Sequence, residues 1–237
     1  MRKLLSSKKM KPTVAAIFDI DGTLLDSNDA HARAFEQAFK EAGKPYPYTE
    51  IRHLIGMGGD KLIPTLSGIK EDSPVGKQIA ERKKVIFFSE FLPTLKPFPK
   101  AKELIQTLEK QDIKIGIATS AKEVELKKFL KIIGIDKLPD ARVSADEVKN
   151  SKPDPDVIQA ALSKLGTPPD QTLMIGDTPY DIEAALKVGV KTIAFRSGGH
   201  WTDKDLSGAI AIYDSPMDLL SKLMESPFAC KQKDHDK

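Results

Sequence analysis

Cysteine is all but absent: Cys230 stands alone among 237 residues. A single thiol excludes an intramolecular disulfide and any cysteine-based metal site, and it suits a reducing compartment. Aromatic residues are scarce at 6%, and Trp201 is the one tryptophan. No apolar run approaches the ~20 residues that span a bilayer. Nor does one sign of charge dominate, since 37 basic against 34 acidic side chains leave a formal charge of +3. The lysines are also spread along the chain, so neither nucleic acid nor a membrane surface is expected as a partner. Between Met1 and Lys11 five basic residues surround only Leu4 and Leu5, too short an apolar stretch for a secretory signal. That segment reads as a disordered basic tail, with an organelle leader or a start at Met10 as alternatives. The polar end, Lys231 to Lys237, reads as frayed. A cytoplasmic protein is expected.

What is present fits a globular chain with a sizeable core, 40% apolar and 30% charged. The length allows one large domain or a core with a smaller partner. Val14–Ile20 is a nearly continuous apolar run that ends in acids and Gly22, the pattern of a buried parallel strand. Similar runs recur at Ile113–Ala118, Thr172–Ile175 and Val190–Phe195, with weaker ones at Arg142–Ser144 and Ala209–Tyr213. Helical patterns alternate with them at Lys100–Lys110, Glu123–Ile133, Pro155–Leu165, Pro179–Val188 and Met217–Met224. Such alternation predicts an α/β fold, a parallel sheet with helices on both faces. Its ligand site should lie beyond the carboxyl ends of the strands. From about Asp26 to Lys96 the alternation stops. That stretch shows helical patterns at Ala30–Ala42, Tyr48–Ile55, Asp60–Leu66 and Val75–Phe91 and no convincing strand. The expected division is a core of residues 1–25 and 97–237 with an all-helical insert at 26–96.

Chemistry gathers at the predicted strand ends. Asp19 and Asp21 leave the first strand two residues apart, just before Gly22-Thr23, so both can face one crevice. A carboxylate attacking an anionic phosphate ester needs cations and donors around it. Asp19 suits the nucleophile, and Asp21 suits the acid and base. Thr119 and Ser120 end another buried run ahead of a helix, where hydroxyls and free N–H groups can cradle phosphate oxygens. Lys152, fixed among prolines in Ser151-Lys152-Pro153-Asp154-Pro155, can pair with the nucleophile and the transferring oxygens. The last run ends in Gly176-Asp177, with Asp181 four residues later. Asp177 with Asp19 makes a small hard-oxygen site suited to Mg2+. Asp181 either joins it or orients Asp177.

Taken in order, Asp19-Ile20-Asp21-Gly22-Thr23, Thr119, Lys152 and Gly176-Asp177 with Asp181 resemble the motifs of the haloacid dehalogenase-like hydrolase superfamily, over about Val14 to Leu220. The resemblance implies a three-layer Rossmann-like core and a helical cap after the first strand. It also implies Mg2+ held by the Asp19 and Asp177 side chains and the Asp21 backbone carbonyl. Dehalogenases and phosphonatases of the superfamily lack the second motif aspartate, which is present here as Asp21. The helical-cap relatives similar to this chain are phosphoglycolate phosphatase-like and beta-phosphoglucomutase-like. A phosphatase acting on a small phosphorylated acid or sugar is therefore expected. The alternatives are a sugar phosphomutase and a noncatalytic binding module on the same fold.

Specificity in such relatives resides in a cap loop, here Ile55-Gly56-Met57-Gly58-Gly59-Asp60-Lys61. Gly56 would let the backbone approach a substrate, and Lys61 would reach an anionic leaving group. Arg52, His53 and His31 are weaker candidates for substrate contact. Arg196-Ser197-Gly198-Gly199-His200-Trp201 could line the cleft rim, with no catalytic role assigned. Whether the chain is a monomer or a homodimer is not legible.

Overall fold

The computed structural model describes residues 12–231. The tails read at 1–11 and beyond 231 fall outside the described residues. Strands β1 (Ala15–Phe18), β2 (Leu25–Asp26), β3 (Lys96–Pro97) and β4 (Lys114–Ala118) come first in the chain. Then follow β5 (Ala141–Val143), β6 (Thr172–Gly176), β7 (Lys191–Phe195) and β8 (Ala211–Tyr213). Six of them form one parallel sheet in the order β5-β4-β1-β6-β7-β8.

The pleat explains the layering, because side chains alternate between the two faces of a strand. Ala16 and Phe18 of β1 join a cluster with Ile115, Ile117, Leu173 and Ile175. That face is covered by α5 (Ala101–Lys110), α6 (Glu123–Ile133) and α9 (Pro216–Ser221). Ala15 and Ile17 point the other way, into a second cluster with Val157, Ile158, Ala184 and Ala185. These belong to α7 (Asp156–Leu165) and α8 (Pro179–Lys187). With both faces covered, β1 is buried at every position, which is why it reads as an unbroken apolar run rather than an alternating one. A Rossmann-like, three-layer α/β core results.

Four helices follow β2: α1 (Asn28–Glu41), α2 (Tyr48–Leu54), α3 (Gly59–Ser67) and α4 (Pro74–Ile86). They form the helical cap, packed on Phe35, Phe39, Ile51, Leu62, Ile79 and Phe87. A π-turn, Phe87–Phe91, continues α4 and sets the Phe87 ring on the His31 imidazole, centroids 4.1 Å apart.

The structure differs from expectation in two places. Asp26 and Lys96, read as the ends of a strandless stretch, pair with each other, and Leu25 pairs with Pro97, in an antiparallel two-stranded ribbon. Two-residue strands carry no period to detect. The last helix stops at Ser221 rather than Met224, and Leu223–Glu225 forms a 3-10 turn instead. Among the described residues no helix is long and apolar enough to cross a membrane.

Candidate active site

The sheet reverses its winding at β1, whose neighbours β4 and β6 lead away in opposite directions. Beyond their carboxyl ends the predicted residues converge. Lys152 Nζ lies 2.8 Å from Asp19 Oδ1 and 2.6 Å from Asp181 Oδ1, and it donates to the Ala118 carbonyl at 3.3 Å. All three charged groups are buried. An ammonium has three protons, so Lys152 is fully satisfied and fixed in direction. Burial alone would push its pKa down, but the Asp181 and Asp19 carboxylates outweigh burial and hold it up.

Asp181 has its other oxygen taken by the Thr178 amide at 3.1 Å and the Thr178 hydroxyl at 2.7 Å. This is the capping box that starts α8, with Pro179 just inside the helix. Both oxygens of Asp181 thus have hydrogen-bond partners, and one of them holds Lys152. Asp177 accepts from the Thr23 hydroxyl at 3.0 Å and from the Asn28 amide at 2.9 Å. Gly22 and Gly198 press against it: a Cβ would come within 2.2 Å of Asp177 Oδ2 at Gly22 and 1.9 Å at Gly198. Only glycine permits that approach.

Asp19, Asp177 and Asp181 each offer an oxygen within 4.8 Å of one another. Burial raises the Asp19 carboxyl well above its ordinary value, and neighbouring acids add to this against Lys152. Burial and then Asp181 lift Asp177 to about 7. Ionising all three buried carboxyls against one ammonium would leave two uncompensated negative charges, which is why Asp19 and Asp177 are held toward their protonated forms. A hard divalent cation supplies that balance with the oxygen donors it prefers, so the residues fit Mg2+.

Asp21 faces the cleft. Its Oδ1 accepts from the Ser27 hydroxyl at 2.5 Å and meets His31 Nε2 at 2.9 Å. Burial would raise its carboxyl, but His31, Ser27 and Lys83 outweigh burial and hold it below the usual range. Thr119 is buried and its hydroxyl accepts from the Ala121 amide at 3.0 Å. The Ser120 hydroxyl donates to the Gly56 carbonyl at 3.1 Å, joining core to cap. Gly56, with φ +111, approaches Thr178 so closely that a Cβ would lie 2.8 Å from it.

Asp19, Asp21, His31, Gly56, Lys83 and Ser120 line a cleft of about 210 Å3 between core and cap. Ile55, Met57 and Val124 add apolar surface.

Residues 16–195 match the sequence model of a family described as haloacid dehalogenase-like hydrolase. The chain belongs to that family. A phosphorylated carbohydrates phosphatase from Thermotoga maritima is 32% identical, over 76% of this chain and 83% of its own length. An N-acetylmuramic acid 6-phosphate phosphatase from Pseudomonas aeruginosa is 29% identical, over 88% of this chain and 94% of its own. The crystal structure of a hydrolase from Pseudomonas syringae superposes with a TM-score of 0.83 at 32% identity, covering 90% of this chain and 99% of that one.

In this haloacid dehalogenase-like hydrolase some expected residues stand apart from the cleft. Lys61 is turned to Asp154 of the core, 2.7 Å away. Arg52 is buried, paired with Asp29 at 2.7 Å and with the Gly198 carbonyl. His53 packs with His200, Trp201 and Tyr180 in an aromatic group joining cap to core. Sequence reasoning missed Lys83 and Glu125, 3.1 Å apart and both lining the cleft. It also missed Asn28 beside Asp177. Lys83 lies in the run Arg82-Lys83-Lys84, where only helical register tells the buried lysine from its less buried neighbours.

Proposed function

We propose that the chain is a Mg2+-dependent phosphatase that hydrolyses a small-molecule phosphate monoester, a sugar phosphate or a phosphoglycolate-like acid, through an aspartyl-phosphate at Asp19. Phosphoric monoester hydrolysis is the activity supported by family membership together with relatives that are themselves named phosphatases. The observation that carries the mechanism is Lys152, buried and locked between Asp181 and Asp19, the latter of which lines the cleft. It fixes one oxygen of Asp19 and leaves the other for attack from the cleft that Asp19 lines. The preference for a sugar phosphate rests on the two carbohydrate-phosphate relatives and on a cleft of about 210 Å3 with both polar and apolar walls.

In the first step an Asp19 oxygen forms a bond to phosphorus while the ester P–O bond breaks. The leaving oxygen takes the electron pair and a proton from Asp21. In the resting site Asp21 is held as an anion, and the arriving phosphate, a like charge, raises its affinity for that proton. In the second step a water gives its proton back to Asp21 and attacks phosphorus, the bond to Asp19 breaks, and inorganic phosphate leaves. Lys152 and the amides near Thr119 and Ser120 offset charge on the phosphoryl oxygens, and the cap excludes stray water. Asp19, Asp177 and the Asp21 carbonyl would hold Mg2+, which when bound neutralises the charge that otherwise keeps a carboxylate and a phosphate apart.

Phosphate release from a panel of monoesters, with Mg2+ and with EDTA, tests this directly. Asp19→Asn should abolish turnover while circular dichroism stays that of the parent. Near-parent hydrolysis by the folded variant would overturn the nucleophile assignment. Release that requires a bisphosphate primer would point to a mutase instead.

A further inference from the structure

Arg52 lies on α2 of the cap, yet one of its two partners belongs to the core. It carries a permanent charge and is only 5% exposed. Its Nε donates to Asp29 Oδ1 at 2.7 Å, and its Nη2 donates to the carbonyl of Gly198, in the turn after β7. Those two partners belong to the two walls of a single carboxylate. Asn28, the neighbour of Asp29, donates to Asp177 Oδ2 at 2.9 Å. Gly198 sits so close that an added Cβ would meet the same Oδ2 at 1.9 Å. The guanidinium fork therefore ties one wall of Asp177 to the other. Arg52 Nη1 and Asn28 Oδ1 are both buried with no partner in the protein, one open donor and one open acceptor on these same walls. Water around a hydrated cation can use both.

We propose that Arg52 is a positioning residue: by holding Gly198 and Asp29 together it fixes Asp177 in the geometry that binds the cation, so seating of the cap raises metal affinity. The inference rests on the Mg2+ reading above and adds a cap residue to it. Coupling of this kind is reciprocal, so bound Mg2+ favours the seated cap in turn.

The sign of the effect separates positioning from electrostatics. A cation beside a Mg2+ site repels the metal, so removing a merely electrostatic arginine would tighten binding. Removing a positioning arginine weakens it. Calorimetric titration of Mg2+ into the metal-free protein, without substrate, reads this apart from turnover. Arg52→Gln should weaken Mg2+ about tenfold or more, as loss of groups that orient metal ligands does. Arg52→Lys should weaken it similarly, because one ammonium keeps the charge but does not occupy the separate Nε and Nη2 positions from which the guanidinium reaches its two partners. Asp29→Asn, a milder change that leaves Arg52 in place, serves if Arg52 variants do not fold: it should weaken binding by a smaller factor that persists at high salt, where loss of an exposed charge alone is screened away. Parent-like or tighter Mg2+ binding in folded Arg52→Gln or Arg52→Lys would overturn the inference. Failure of the parent protein to bind Mg2+ would instead overturn the metal reading on which it rests.

Discussion

Lys83 and Glu125 face each other across the cleft, Nζ to Oε1 3.1 Å, one from the cap and one from the core. Glu125 also caps α6 by accepting from the Lys122 amide at 3.2 Å. Breaking such a buried pair costs more than the pair contributes, because the survivor is left charged and unpaired. Lys83→Met should therefore destabilise the protein by about 3 kcal/mol, while Lys83→Met with Glu125→Leu recovers most of that loss. Urea unfolding of the parent, single and double variants measures both. The pH dependence has a definite sign. Burial would raise the Glu125 carboxyl, but Lys83 and His31 outweigh it and hold it below its ordinary value. The unfolded chain then takes up that proton first, so the stabilisation is present above the ordinary glutamate value of about 4.3 and fades as pH falls through the folded value. Glu125→Gln should remove this part of the acid slope. An unchanged slope would show that the pair contributes no linkage.

At the scale of elements, the amino end of α3 lines the cleft at Gly58 and Gly59 and is tied to the core just beyond it. Gly58 donates its amide to Ser151 Oγ at 3.0 Å, Asp60 accepts from the Ser151 amide at 3.1 Å, and Lys61 meets Asp154 at 2.7 Å. Lys61 and Asp154 are each about a third exposed, and pairs of that kind contribute about 0–1 kcal/mol. Lys61→Ala should thus change kcat and KM less than about twofold and stability by no more than that amount. A large rise in KM alone would return Lys61 to the substrate-binding residues. The loop Gly56 to Lys61 was legible as glycine-rich, and its place beside the site was what the family resemblance implied. What its lysine touches was not legible, since Asp154 is 93 positions away in the chain and no local pattern links them. The α8 start shows the opposite case. Thr178-Pro179-Tyr180-Asp181 is a local cap signal, and the structure builds that cap as the sequence spells it. The same residues also hold Lys152, a contact that no cap rule contains.

Across the whole molecule, the legible part was what the core dictates. Runs such as Ala15–Phe18 and Thr172–Gly176 are buried on both faces, and carboxylates placed just past them must meet at the strand ends. The cap's share of the site was poorly legible, because His31, Arg52 and Lys83 sit on helices whose orientation is set by packing on the core. One global consequence remains measurable. Asp19, Asp177 and Asp181 are buried together, an arrangement that opposes folding through like charge and desolvation unless a cation offsets it. Anything that binds only the folded site stabilises it by mass action, about 2.7 kcal/mol at one hundred times the dissociation constant. Mg2+ should therefore raise the urea midpoint of the parent protein, and EDTA should reverse the gain. Asp177→Asn should show the crossed pattern. It removes one of the crowded carboxylates, so in EDTA it should be at least as stable as the parent, and Mg2+ should add almost nothing. A variant that still gained the full increment from Mg2+ would place the cation somewhere other than beside Asp177.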